Sequence, residues 1–340
     1  MMETIYFGTY TKRQSQGIYR ADFDTKDGSL SKLQLAAKET NPTYLAFSDS
    51  NCYSAGSCNG MGGMANFDSR FQLINHVVEE GPALCYVAVD KGRRLVYGAN
   101  YHKGEVLIYK QNNQEQLTLA NKIHHHGSGP HKNQASPHPH FADLTPDNYL
   151  VTCDLGTDSV TTYAVTDSGQ AEKIANYQAA PGAGSRHLAF HPDGKTAYLV
   201  CELNASVEVL NYSGQGKFEK QQTISTLPAD YKDFNACGAI RITKDGRFLY
   251  VSNRGHDSIA VFAILPDGRL ENRQIISSAG QTPRDFCLSP NEDYLIAVHQ
   301  DSDNAAVFRR DSKTGLLVEK SRDFTVPEAV CVLFNDWKEK

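Results

Sequence analysis

Residues 187–212 read HLAFHPDGKTAYLVCELNASVEVLNY. A short apolar run, HLAF, meets the turn HPDGK. A second run, TAYLVC, meets the polar loop ELNAS, and a third, VEVLNY, alternates apolar with polar side chains. Alternation in twos, over short runs rich in Val, Tyr and Leu and punctuated by Pro, Asp, Gly and Asn, is the grammar of antiparallel strands joined by tight turns. The same sentence returns along the chain. Residues 239–264 (AIRITKDGRFLYVSNRGHDSIAVFAI) and 285–310 (DFCLSPNEDYLIAVHQDSDNAAVFRR) repeat it after this copy; 42–60, 85–110 and 141–165 repeat it before. The N-terminal stretch 4–23, TIYFGTYTKRQSQGIYRADF, supplies a seventh copy that begins directly in its second run.

One position near the end of each second run gives Thr9, Gly56, Asn100, Asp154, Glu202, Asn253 and His299, spaced by 47, 44, 54, 48, 51 and 46 residues. A period in this range, with about four strands per unit, predicts an all-β, seven-bladed β-propeller occupying residues 1–340 as a single domain. The first copy lacks an opening strand, and the tail ends in an orphan strand of that type, VPEAVCVLF at 326–334. The N-terminal strands should therefore pair with the C-terminal strand in one blade and close the ring, which removes the free sheet edges that invite aggregation.

The composition narrows the function. A net charge of −5 with no run of Lys and Arg speaks against nucleic acid. No segment approaches a membrane span and no leader-like pattern opens the chain, so a cytoplasmic location is expected, with no obligate protein partner. The eight cysteines show no paired spacing and lie mostly in apolar runs, as small buried hydrophobes do.

In a propeller the first strand of each blade lines the central channel, so functional residues should recur at equivalent repeat positions. Counting back six residues from each turn places His140, Arg186, Gly238 and Arg284 at one innermost-strand position, with Glu328 and Thr43 at comparable places. The anchors and their neighbours add Asn100, Tyr101, Asp154, Glu202, Asn253, Arg254, His299 and Gln300. Such charged rings fit either a solvated channel stitched by salt bridges or a binding site for an anion. The His-rich segment 124–140 lacks ligand spacing and reads as a polar loop, apart from His140, which starts an apolar strand. GSG at 127–129 and PGAG at 181–184 lack the residues that make a phosphate loop, and no serine elbow is present.

Several segments together resemble the propeller-type 6-phosphogluconolactonases, whose relatives include a fungal lactone-forming cycloisomerase. They are GTYT with GIY near the start, NPTYLAF, PHPHFADLTPD followed by DLGTDSV, PGAGSRHLAFHPDGKTAYLVCELNASVEV, RFLYVSNRGHDSIAVF, and TPRDFCLSP with VHQDSDNAAVF. The resemblance implies hydrolysis of 6-phospho-D-glucono-1,5-lactone to 6-phosphogluconate, a step of the pentose phosphate pathway, with no cofactor and no metal. It carries His140, Arg186, Glu202, Arg254, Arg284 and Gln300 over as the polar set. His138 fits the same PH-x-H motif, and repeat register favours His140. On this reading His140 or Glu202 is the general base, Arg186 steadies the oxyanion, and Arg254 and Arg284 grip a phosphate. Gln300, Asn100, Asp154 and Asn253 would complete the substrate contacts.

Three other readings use the same residues differently. A cycloisomerase, or a lactonase for an unphosphorylated lactone, would keep the base and the arginines. A protein-interaction propeller would need no charged channel, and the chain has no Trp-Asp repeats; its one tryptophan is Trp337. A metal-dependent lactonase would require Glu202, Asp154 and Asn253 to converge on a cation.

Overall fold

The computed structural model describes residues 1–335; Trp337 lies outside them. Short alternating runs broken by turns become 28 strands in seven four-stranded antiparallel sheets, one for each copy of the repeat. No helix occurs among the described residues, so none is long and apolar enough to cross a membrane. Each sheet is a blade numbered here in chain order. The inner strands of blades 2 to 7 are Leu45–Phe47, Tyr86–Asp90, Pro139–Leu144, Ser185–Phe190, Ala236–Ile242 and Pro283–Leu288. Aromatic and branched side chains pack between neighbouring blades. Phe23 of blade 1, for example, meets Tyr294 of blade 7 edge-on, with ring centroids 5.8 Å apart.

Blade 1 takes its inner strand, Ala329–Phe334, from the far end of the chain. This strand pairs antiparallel with Met2–Thr9, Ile5 opposite Phe334 and Thr9 opposite Ala329. Glu328 locks the junction. Its carboxylate accepts four consecutive backbone N–H groups, Lys12 on Oε1 at 2.9 Å and Arg13, Gln14 and Ser15 on Oε2 at 2.9 to 3.0 Å. Glu328 therefore turns away from the inner ring, where counting from the repeat had placed it; Val330 takes that position.

Four of the inner strands share an irregularity that builds the site. Where Pro139 and Phe141 pair with Asp154 and Cys153, His140 is skipped. The ladder skips Arg186 in blade 5, Arg284 in blade 7 and Val330 in blade 1 in the same way. A β-bulge leaves the extra residue unpaired and re-aims it, so two successive side chains can face the same side. Arg186 with His187, and Arg284 with Asp285, both line the central cavity as adjacent pairs.

Candidate active site

A cavity of about 710 Å³ occupies one end of the central channel, framed by the turns that follow the second strands and the segments that enter the inner strands. The bulged positions of four inner strands contribute His140, Arg186, Arg284 and Val330, and Thr43 and Cys85 stand just before the inner strands of blades 2 and 3. A second tier comes from residues at or just past the ends of five second strands: Tyr10, Ser57, Tyr101, Glu202 and Arg254. Beneath them lies an aromatic layer in which Tyr86 packs 4.3 Å from Tyr44 and 5.2 Å from His187. At the same level, Arg241 pairs with Asp285 at 2.7 Å.

Glu202 is the centre of the charge pattern. Arg186 Nε and Arg254 Nη2 both stand 2.8 Å from its Oε2. Its Oε1 has no protein partner among the described residues. The two guanidiniums are also held by backbone carbonyls: Arg186 donates to Gly238 O at 2.7 Å, and Arg254 to Cys237 O at 2.8 Å and Ala236 O at 3.2 Å. Burial pushes the Glu202 carboxyl up, but Arg254, Arg186 and Arg284 outweigh it and hold the group below the ordinary glutamate value. Burial, aided by Arg254, brings Arg186 down to about 10, against the pull of Glu202. Arg284 has no carboxylate partner among the described residues; its guanidinium carbon lies 5.8 Å from the Tyr10 ring centroid.

His140 is buried, and its Nδ1 is 3.1 Å from His187 Nε2. Burial and then the nearby arginines drive both imidazoles well below the ordinary histidine value, so both are neutral around pH 7. No hydrogen bond joins His140 to Glu202 among the described residues. His138 lies outside the lining. It donates from Nδ1 to Tyr101 O at 2.8 Å and stacks on the Tyr101 ring with centroids 4.3 Å apart, a buttress for that side chain.

Other residues expected at the site point elsewhere. Asp154 and Asn253 pair directly with inner-strand residues Pro139 and Cys237, whereas the residue in that register in blade 5 is Cys201, opposite Ser185. Glu202 is thus one residue further along, and strand alternation turns it to the cavity while Asp154 and Asn253 face the blade interior. Asp154 Oδ1 accepts from the backbone of His138, Gly156 and Thr157, and Oδ2 is 2.7 Å from His125 Nδ1. Asn253 binds Thr226 O and Ser258, and Asn100 binds Pro82 O and the Lys103 amide. Gln300 contacts Asp301 outside the cavity. Glu202, Asp154 and Asn253 consequently do not meet at a common point, and among the described residues no group of three His, Cys, Asp or Glu side chains is placed to hold a metal ion.

His187, Cys85, Tyr10 and Lys12 line the cavity without having stood out in the sequence. Strict alternation had assigned the neighbour of Arg186 to the opposite face; the bulge brings it in. Tyr10 sits in the GTYT segment and Lys12 directly follows it.

The chain as a whole has close relatives. A family model described as a seven-bladed β-propeller lactonase matches residues 4–334. The chain is 41% identical over 342 residues to the 6-phosphogluconolactonase of Bacillus subtilis, covering 97% of each. It superposes on the crystal structure of a Lactobacillus plantarum protein with a TM-score of 0.97 at 44% identity, over 99% of this chain and 100% of that one. The periplasmic gluconolactonase of Pseudomonas aeruginosa gives 0.92 at 29% identity, over 98% and 99%. The repeat, the closed ring and these likenesses together mean that the chain belongs to the seven-bladed β-propeller lactonase family.

Proposed function

We propose that this protein hydrolyses 6-phospho-D-glucono-1,5-lactone to 6-phosphogluconate. One observation carries the reading: a carboxylate with one open oxygen, held between two arginines, shares its cavity with a third arginine that forms no ion pair among the described residues. A δ-lactone carbonyl is reactive, so the task is to orient water, take its proton and steady the oxyanion. Glu202 Oε1 accepts the proton from the attacking water. The flanking guanidiniums keep this carboxylate ionised and make it a weak base, which a reactive lactone tolerates. Arg186 Nη2 and Arg254 Nη1, which have no protein partners among the described residues, donate to the carbonyl oxygen as charge develops. Glu202, now carrying that proton, returns it to the ring oxygen as the tetrahedral intermediate opens and so recovers its ionised form, while neutral His140, hydrogen-bonded to His187, helps to orient the bound lactone. Arg284 takes the phosphate.

This proposal moves Arg254 from the phosphate to the oxyanion, because its Nε and Nη2 are already committed to Glu202 and two backbone carbonyls. The 6-phosphogluconolactonase relative favours the phosphorylated substrate, while the gluconolactonase relative supports an unphosphorylated lactone as the second reading. The test generates 6-phosphogluconolactone in situ and follows its opening with and without purified protein, with added chelator, and beside unphosphorylated gluconolactone. Chelator-resistant acceleration of the phosphorylated lactone is the expected result. Acceleration of gluconolactone alone favours the second reading, and acceleration of neither overturns both.

A further inference from the structure

We propose that Lys12, acting with Arg284 around the Tyr10 ring, forms the anion subsite that selects lactones carrying a phosphate; this rests on the lactonase reading above. The cations that line the cavity fall into two groups. Arg186 and Arg254 share Glu202 and are tied to backbone carbonyls, so their charge is largely spent where the lactone carbonyl would lie. Lys12 and Arg284 have no carboxylate partner among the described residues. Both approach one aromatic ring, Lys12 Nζ at 4.2 Å from the Tyr10 centroid and Arg284 Cζ at 5.8 Å. Two unneutralised cations beside one ring at the cavity wall suit a dianion, which a single exposed lysine would hold poorly.

The backbone that presents Lys12 is fixed in advance. Glu328 accepts the N–H groups of residues 12 to 15, and Thr11 N donates to Asn41 Oδ1 at 3.1 Å. The neighbouring Arg13 is taken up by Asp303 at 2.6 Å and by Gln300 O at 3.0 Å, so it does not compete for the ligand. Holding the strap before the ligand arrives reduces the ordering cost that a mobile lysine loop would pay on binding. The arrangement also sets substrate direction: carbonyl toward Glu202, Arg186 and Arg254 on blades 5 and 6, phosphate toward Lys12 and Arg284 on blades 1 and 7.

The experiment compares wild type with Lys12→Met and Lys12→Arg on 6-phosphogluconolactone and unphosphorylated gluconolactone. The ratio of kcat/KM for the phosphorylated over the plain lactone should fall about 10- to 100-fold in Lys12→Met, mostly through KM, and recover to within about threefold of wild type in Lys12→Arg. A ratio that stays within about twofold of wild type overturns the subsite. If wild type opens neither lactone, the catalytic reading fails, and calorimetric titration with 6-phosphogluconate and gluconate still judges the subsite. Tighter binding of the phosphorylated acid, weakened about tenfold or more by Lys12→Met, supports it; no preference for the phosphorylated acid overturns it.

Discussion

Asn253 and Arg254 are neighbours at the end of one strand, yet they belong to different parts of the molecule. Asn253 is fully buried and ties its hairpin to Thr226 and Ser258; Arg254 reaches into the cavity and grips Glu202. Asp154 does the work of Asn253 in blade 4, gathering three backbone amides and His125. A single step along a strand separates groups that hold the ring together from groups that face a substrate. In a repeat of this kind, polarity at a recurrent position does not identify function until the face is known.

Substitutions on the two faces should therefore fail in different ways. The largest effect is expected from Glu202→Gln, which keeps the shape and removes the proton acceptor; kcat on the cognate lactone should drop by about 10²- to 10⁴-fold with the fold retained in circular dichroism. Wild-type turnover in this variant would end the assignment of Glu202 as base. Asp154→Ala should show the opposite profile, a loss of about 2–4 kcal/mol in urea unfolding, with near-normal kcat in the protein that remains folded. A selective loss of kcat there, with stability intact, would place Asp154 in the chemistry and erase the contrast.

A smaller loss, about 1–2 kcal/mol, is expected for Glu328→Gln, which keeps the shape of the acceptor but not its charge. Its carboxyl is nearly inaccessible; burial pushes it up, and the four amides that it accepts more than compensate, holding it below the ordinary value of 4.5. A depressed carboxylate contributes stability that is complete above 4.5 and is lost as pH falls through the lower folded value. The gap between wild type and Glu328→Gln should accordingly narrow on acidification below 4.5, measured by urea titration at a series of pH values. A gap that is constant with pH would mean that ionisation of Glu328 is not what secures the junction.

The gentlest test is the acid limb of the rate profile. Because the Glu202 carboxylate lies below the ordinary 4.5, activity corrected for spontaneous opening should persist as pH falls from 7 to 5. A limb centred near 6.5, the ordinary histidine value, would instead point to an unperturbed imidazole as the base.

The architecture was legible because a propeller writes its strands seven times over, and because VPEAVCVLF is a strand with nowhere else to go. The inner ring was legible in part: counting back from each turn found His140, Arg186 and Arg284, since these three copies carry the bulge at the same distance from the turn. The count failed at Glu328, where the final strand has no following hairpin from which to measure. It slipped by one at Glu202, because Cys201 ends an apolar run and offers no polar residue to anchor on. His187 was invisible for a physical reason: a bulge suspends the alternation by which inward and outward residues are told apart. Lys12 could not be found by repeat logic at all, since its value comes from the absence of a counter-charge in space.

The Glu328 clasp gives the order of synthesis a meaning. A chain emerging from the ribosome makes residues 10 to 15 first, but the carboxylate that gathers their amides and the strand that completes their blade come more than three hundred residues later. At about 5–20 residues per second, that interval lasts tens of seconds, during which the early hairpin waits unfinished. A prematurely ended chain thus lacks the inner strand of its first blade and presents an open sheet edge, a mark by which quality-control machinery can tell it from finished protein.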